Sequence, residues 1–381
     1  MSEKEDSIFH RNDLAEVLVK RLLKPDVLTS RDGLFITGIR RVGKTTFIRS
    51  DLIPLLQKEG ALAIYVDLWS NQESESASTI VLSKVRETLN ALTSAHQLKE
   101  FELNLKIVKF SFSTADVGKK EGVSLSDAFL ELIRKIDRNI VLIIDEVQET
   151  LKNESGRKFL MALKAARDAV NLRGDNPHQT HLLIVGTGSH RSFVSAMVSK
   201  QSQPFYAADR VDFPLLGEDF VRWQIKHLNL KVLPSFEALK QGFQKIGSRP
   251  NVFRQLLLEI QNFKGKEIDE AFALLAHNQT FVDAREFLEP LKNADALTQC
   301  LFTEIARSSE KGCEALYSKE FLEKLGKTLG KKKAISASGV QAKLRKMEKE
   351  NWIFPMSHGK FAVTDSQAAA IWLAEVEDTV K

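Results

Sequence analysis

The stretch GLFITGIRRVGKTT, residues 33–46, sets four residues between Gly38 and Gly43 and follows them at once with Lys44 and Thr45. That spacing, G-x-x-x-x-G-K-[ST], suits a loop wrapped around a phosphate. The backbone N–H groups must point inward, and glycine tolerates both the dihedrals and the close approach. A helix that starts after the second glycine aims the positive end of its dipole at the same anion. Lys44 then reaches the β- and γ-phosphates, and the Thr45 hydroxyl ligates Mg²⁺. The whole loop is expected to contact nucleotide: Gly38, Ile39, Arg40, Arg41, Val42, Gly43, Lys44, Thr45 and Thr46. The motif does not account for the adjacent Arg40 and Arg41.

About a hundred residues later, NIVLIIDEVQ runs five apolar residues into Asp145 and Glu146. Acidic groups at the C-terminal end of a buried strand stand where ligands bind in parallel sheets. Asp145 is expected to hold magnesium through water, and Glu146 to polarise the attacking water as general base. A third apolar run, HLLIVGTGSHRS, ends in Thr187, Ser189 and Arg191, polar groups able to bond the γ-phosphate or that water. Spacing alone does not choose between Thr187 and Ser189.

These residues need a scaffold, and the chain alternates strand and helix patterns. Short apolar runs at 34–37, 61–68, 139–146 and 180–189, with a shorter one at 210–216, read as strands. The strand at 61–68 falls between the two motifs in the chain, as expected when an extra strand separates them. Helical spacing covers 12–24, 44–57, 77–98, 124–136 and 154–170. Strands apolar throughout and alternating with helices predict an α/β domain, a parallel sheet covered on both faces. The stretch LKIVKFSFSTADVG alternates apolar and polar residues and predicts a hairpin or insertion at about 101–122.

After residue 216 the strands stop. Helical patterns fill 217–285, and the segment from 286 carries three helices and two short strands around a Ser-His-Gly turn. The expected organisation is a nucleotide-binding domain over 1–216, an all-α lid over 217–285 and a winged helix-turn-helix over 286–381.

With 381 residues, 43% hydrophobic and 28% charged, each part is large enough to bury its own core. A net charge of +5 is too mild to demand a nucleic-acid partner by itself. Cys300 and Cys313 are the only cysteines and belong to no CxxC pair, which argues against a disulfide framework and a zinc site. The charged start MSEKEDSIFHRNDL and the lack of any long apolar run predict a cytoplasmic protein with no membrane partner.

Together these pieces resemble the AAA+ ATPase superfamily of P-loop proteins, in particular the archaeal-type ATPases related to STAND proteins and origin-recognition ATPases. The resemblance rests on GIRRVGKTT, YVDLW and LIIDEVQE, then on GTGSHRSF, PFYAADRVDFPLL, IGSRPNVFRQLL and SGVQAKLRKMEKENWI. It implies hydrolysis of ATP to ADP and phosphate with Mg²⁺, with Lys44, Glu146 and Ser189 in catalytic roles. Ser189 matches the sensor-1 position, and the GSRP at 247–250 places Arg249 near sensor-2. Arg11 falls where the family often has a Gly-Arg pair near the adenine, with His10 standing in place of the glycine. Arg191 and Arg210 are the candidates for a trans-acting arginine finger. The resemblance also admits a low-turnover, STAND-like nucleotide switch acting through assembly, or a helper ATPase of DNA recombination or transposition.

Residues 311–350 carry eleven Lys or Arg against five Glu. On the helix over 337–349, Val340, Leu344 and Met347 share one face, leaving Lys343, Arg345, Lys346 and Lys349 to project outward. In a winged helix this is the recognition helix, suited to duplex DNA. The same face could instead be solvated, or pack against the ATPase module or a partner protein; assembly into a homo-oligomer is the remaining partner expectation.

Overall fold

The computed structural model describes residues 8–24, 32–69, 76–93, 111, 113–119, 121–152, 154–172, 179–189, 194, 195, 197, 198, 201, 203–228, 230–265, 267–308, 312–330, 335–357 and 359–380. The chain divides into two compact units, Met1–Pro214 and Leu215–Lys381.

In the first unit, β1 (Leu34–Thr37), β2 (Leu62–Asp67), β3 (Ile140–Asp145), β4 (Leu182–Gly188) and β5 (Asp209–Asp212) form one parallel sheet in the order β2-β3-β4-β1-β5. Successive residues of a strand face opposite sides, so a strand covered twice must be apolar throughout. Ile140, Leu142 and Ile144 pack on one side under α4 (Ala77–Thr93), α5 (Leu125–Ile136) and α6 (Glu154–Asn171). Val141 and Ile143 pack on the other, under α1 (Asn12–Leu23) and the helical run after the phosphate loop. β5 lies at an edge, which is why its run DRVD is polar.

The strand that separates β1 from β3 in space is β4, whereas the 61–68 run became β2 at the far edge. Chain order could not reveal this, because parallel crossovers let a strand skip its sequence neighbour. The run from Lys44 is α2 (Lys44–Phe47), a π-helical turn (Ile48–Leu52) and α3 (Ile53–Lys58). The stretch expected to be a hairpin lies mostly outside the described residues. Of it, a 3₁₀ turn at Thr114–Asp116 and a bridge between Val117 and Val123 are described.

The second unit begins with α7 (Glu218–Leu228), α8 (Phe236–Lys245), α9 (Pro250–Glu259) and the long α10 (Ile268–Lys292). Their shared core is aromatic: Phe243 lies 5.2 Å from Phe220 and 4.9 Å from Phe253, ring centre to ring centre. α10 runs unbroken through positions 285 and 286. Then follow α11 (Ala296–Arg307), α12 (Lys319–Thr328), α13 (Ala337–Lys349) and an antiparallel hairpin of β6 (Ile353–Ser357) and β7 (Lys360–Val363). Three helices and a hairpin are the order of a winged helix. A closing helix that the sequence reading passed over, α14 (Ser366–Val380), packs on α10 and α11, where Trp372 donates to Thr303 at 2.9 Å.

Asp295 caps α11 through the Thr298 N–H at 3.2 Å and accepts from Lys343 Nζ of α13 at 2.7 Å. Partial burial alone would raise its carboxyl, but the bonds from Lys343 and Thr298 outweigh that and bring it down to about 2. A depressed carboxyl stabilises the fold fully above its ordinary value of 3.8, and the gain is lost as pH falls toward 2. Asp295→Asn keeps a capping oxygen and removes the charge. Stability followed by circular dichroism should then fall less steeply with pH in that window than it does in the parent protein.

Candidate active site

The loop from Gly38 to Gly43 joins β1 to α2, and its two glycines serve different needs. Gly43 has φ 90°, in the left-handed region, and a Cβ built there would meet nothing within 4 Å. Gly38 needs space instead, since a Cβ would come within 3.1 Å of Phe213 Cβ. Arg41 carries a left-handed turn without being glycine, at φ 66°. Such a conformation costs about 1–2 kcal/mol in an L-residue, so the loop stores some strain. Lys44 is buried and donates through Nζ to the carbonyls of Gly38 and Ile39, each at 2.8 Å.

Asp145 and Glu146 lie at the end of β3, one strand removed from β1. Asp145 is buried and accepts four hydrogen bonds. Thr45 Oγ1 and Tyr65 Oη donate to its Oδ2 at 2.7 and 3.0 Å. Thr187 Oγ1 and the Glu146 N–H donate to its Oδ1, the latter at 3.2 Å. The sequence reading missed Tyr65. The signal was present, since strand alternation sets Tyr65 and Asp67 on the same face as Asp145 through the register Tyr65–Ile143 and Asp67–Asp145. Burial, then the charges of Asp145 and Asp67, push the Tyr65 phenol far above its ordinary value, so it acts as a donor.

Glu146 stands at φ 57°, a strained position that turns its carboxylate away from the strand. Its Oε2 accepts from Ser189 Oγ at 2.8 Å, from the Ser189 N–H at 3.3 Å and from Gln148 Nε2. Its Oε1 has no hydrogen-bond partner among the described residues. Thr187 and Ser189 therefore divide the acidic pair, Thr187 serving Asp145 and Ser189 serving Glu146. Arg40 Nε in turn donates to Ser189 Oγ at 3.2 Å, and its guanidinium lies 4.8 Å from the centre of the Trp69 ring.

Other expected residues stand elsewhere. Arg11 donates to the Pro214 carbonyl at 2.8 Å and lies over the Phe213 ring, beside the start of the loop. His10 pairs with the buried Asp51 of the π-helical turn at 2.5 Å. Arg210 lies on β5 and donates to Ser195 Oγ at 2.7 Å. Arg191 is outside the described residues. Arg249, in the second unit, donates through Nε to the Ile246 carbonyl at 2.6 Å and through Nη2 to Asp283. Among the described residues no group of three or more His, Cys, Asp or Glu could hold a metal ion by itself.

A phosphate loop after β1, with an Asp-Glu pair across one intervening parallel strand, defines a P-loop ATPase. The profile of a family described as an ATPase domain predominantly from Archaea matches residues 19–228, more than half of the chain. The protein belongs to that family and is an archaeal-type AAA+ P-loop ATPase. Its fold is similar to that of a Walker-type ATPase of Pyrococcus abyssi, at 17% identity, 96% coverage of both chains and a TM-score of 0.59. It is also similar to the ADP form of the Aeropyrum pernix ORC2 protein, at 12% identity, covering 96% of this chain and 92% of that one, with a TM-score of 0.52. A comparison with curated proteins found no match.

Replacing Gly43 by alanine forces a Cβ-bearing residue to φ 90° and should cost about 1–2 kcal/mol, with no steric clash to add to it. Chemical denaturation of the two proteins checks this.

Proposed function

We propose that this chain hydrolyses ATP at the Lys44–Asp145–Glu146 site and passes its nucleotide state to the basic helix of the second unit. The observation that carries the reading is the 2.7 Å bond from Thr45 to Asp145, which brings the phosphate loop and the acidic pair into one site. The donor set suits magnesium: a threonine hydroxyl and one carboxylate, with oxygen atoms only and, among the described residues, no cage of protein ligands. Thr45 would hold Mg²⁺ directly and Asp145 through water, and the ion would neutralise charge building on the phosphates.

The chain's own residues do the rest. Lys44 exchanges the Gly38 and Ile39 carbonyls for the β- and γ-phosphate oxygens, while the N–H groups that follow Gly38, through Thr46, surround the phosphates. Ser189 and Gln148 hold Oε2 of Glu146, leaving Oε1 to take a proton from the attacking water. The water oxygen bonds to the γ-phosphorus, and the bond to the β–γ bridging oxygen breaks, releasing ADP and phosphate. Arg249, tied to Asp283 within the second unit, is the proposed lid arginine, in a helical lid that precedes the winged helix.

On α13, Arg345, Lys346 and Lys349 are exposed, whereas Lys343 is tied to Asp295. The first three supply the charge for duplex DNA. Among the described residues no helix is long and apolar enough to cross a membrane.

Lys44→Ala should abolish binding of a fluorescent ATP analogue, and retained affinity would defeat the loop's role. Glu146→Gln should keep affinity while slowing turnover by about 10²–10⁴-fold; an unchanged rate removes Glu146 as the base. Changing Arg345, Lys346 and Lys349 together to Ala should weaken binding to duplex DNA. The slope of log affinity against log salt should flatten by about 3. Measuring turnover per protomer against protein concentration, with and without DNA, distinguishes a site completed between subunits from a self-sufficient one.

A further inference from the structure

Arg40 is the residue of the phosphate loop that the motif leaves unexplained. It is exposed, so it is not needed to fill the core. Its guanidinium is nevertheless fixed twice, by the Nε bond to Ser189 Oγ and by the face of Trp69, itself 46% exposed. An arginine stacked on an indole has lost much of its rotamer freedom, so its Nε points in one direction. Ser189 Oγ accepts from that donor and itself donates a hydrogen bond to Glu146 Oε2 at 2.8 Å. The order Arg40, Ser189, Glu146 is thus a chain of donors running from a cation to an anion. In such a chain each bond polarises the next. It begins inside the loop that must wrap the phosphates and ends on the carboxylate placed to activate water.

We infer that Arg40 is a positioning residue that ties the phosphate loop to Glu146 through Ser189, so that occupation of the loop sets the aim of the water-activating carboxylate. This rests on the hydrolytic reading of Glu146 given above. Lys44 occupies the loop carbonyls of Gly38 and Ile39, immediately before Arg40. An entering phosphate that draws Lys44 away changes the loop at the point where Arg40 leaves it. Further along, Gly38 N–H donates to the Gly188 carbonyl at 3.3 Å, so the loop is also joined to the strand end that carries Ser189. The terminal nitrogens Nη1 and Nη2 of Arg40 have no hydrogen-bond partner among the described residues, so the Nε bond is its polar anchor.

The test uses the full chain and four variants: Arg40→Ala, Arg40→Lys, Ser189→Ala and the double variant Arg40→Ala/Ser189→Ala. Affinity for a fluorescent ATP analogue and steady-state turnover are measured on each, with Glu146→Gln as the reference for lost chemistry. Arg40→Ala should slow turnover about tenfold, the lower end for a charge-assisted bond, while nucleotide affinity changes less than about threefold. Lysine keeps the charge but lacks the planar Nε donor, so Arg40→Lys should not restore the rate. The double variant should be no slower than Ser189→Ala, because Arg40 acts through Ser189.

Equal losses of affinity and turnover in Arg40→Ala would make the residue a simple phosphate contact and overturn the inference. So would an unchanged rate, full rescue by lysine, or additive losses in the double variant. Failure of the hydrolytic reading looks different, because Glu146→Gln would then turn over normally. If Glu146→Gln is inactive and Ser189→Ala is unaffected, only the link through Ser189 falls.

Discussion

The carboxylate of Asp145 takes hydrogen bonds from four places at once: Thr45 at the start of α2, Tyr65 on β2, Thr187 on β4 and the backbone of Glu146. A charge buried this deeply is tolerated only when its lone pairs are met, and here they are met by neighbours from separate elements. The position of the phosphate loop against the sheet therefore depends on this one side chain as much as on the apolar packing beneath it. Losing any donor leaves part of an anion unsatisfied. Losing the anion takes the acceptor from the half-buried Tyr65 hydroxyl and the buried Thr187 hydroxyl.

Around that fixed point the second carboxylate is held differently. Glu146 turns out of the strand through a left-handed backbone, and one of its oxygens is clamped while the other is open. The strain at Glu146 and at Arg41 falls where the chain must redirect side chains within a short distance. Both conformations cost free energy that the buried sheet offsets, since each fully buried aliphatic side chain contributes about 1.5–3 kcal/mol. The sheet's apolar strands are thus the reserve from which the site's geometry is held.

The second unit shows the same economy of means. Asp295 is both the cap of α11 and the partner of Lys343, so a residue expected in the exposed basic row is instead part of the packing between two helices. The outward row is then Arg345, Lys346 and Lys349. Val340, Leu344 and Met347 are buried as helical spacing predicted, because the 3.6-residue period reports a face reliably. The same period cannot say which of several long basic side chains will find an acid on a neighbouring helix.

From sequence alone, the strands and helices of the first unit, its parallel α/β class and the presence of a phosphate loop were determined. Each follows from local causes: runs apolar on both faces, helical spacing, and glycines at fixed separation before Lys44 and Thr45. Tertiary structure decided the rest. It set β4 rather than β2 between the two motif strands, gave Thr187 to Asp145 and Ser189 to Glu146, brought Tyr65 in as a donor, and gave Arg40 its partner. These depend on which strands lie side by side and how they are registered. Residues 149 positions apart, as Arg40 and Ser189 are, meet only after the sheet has chosen its order.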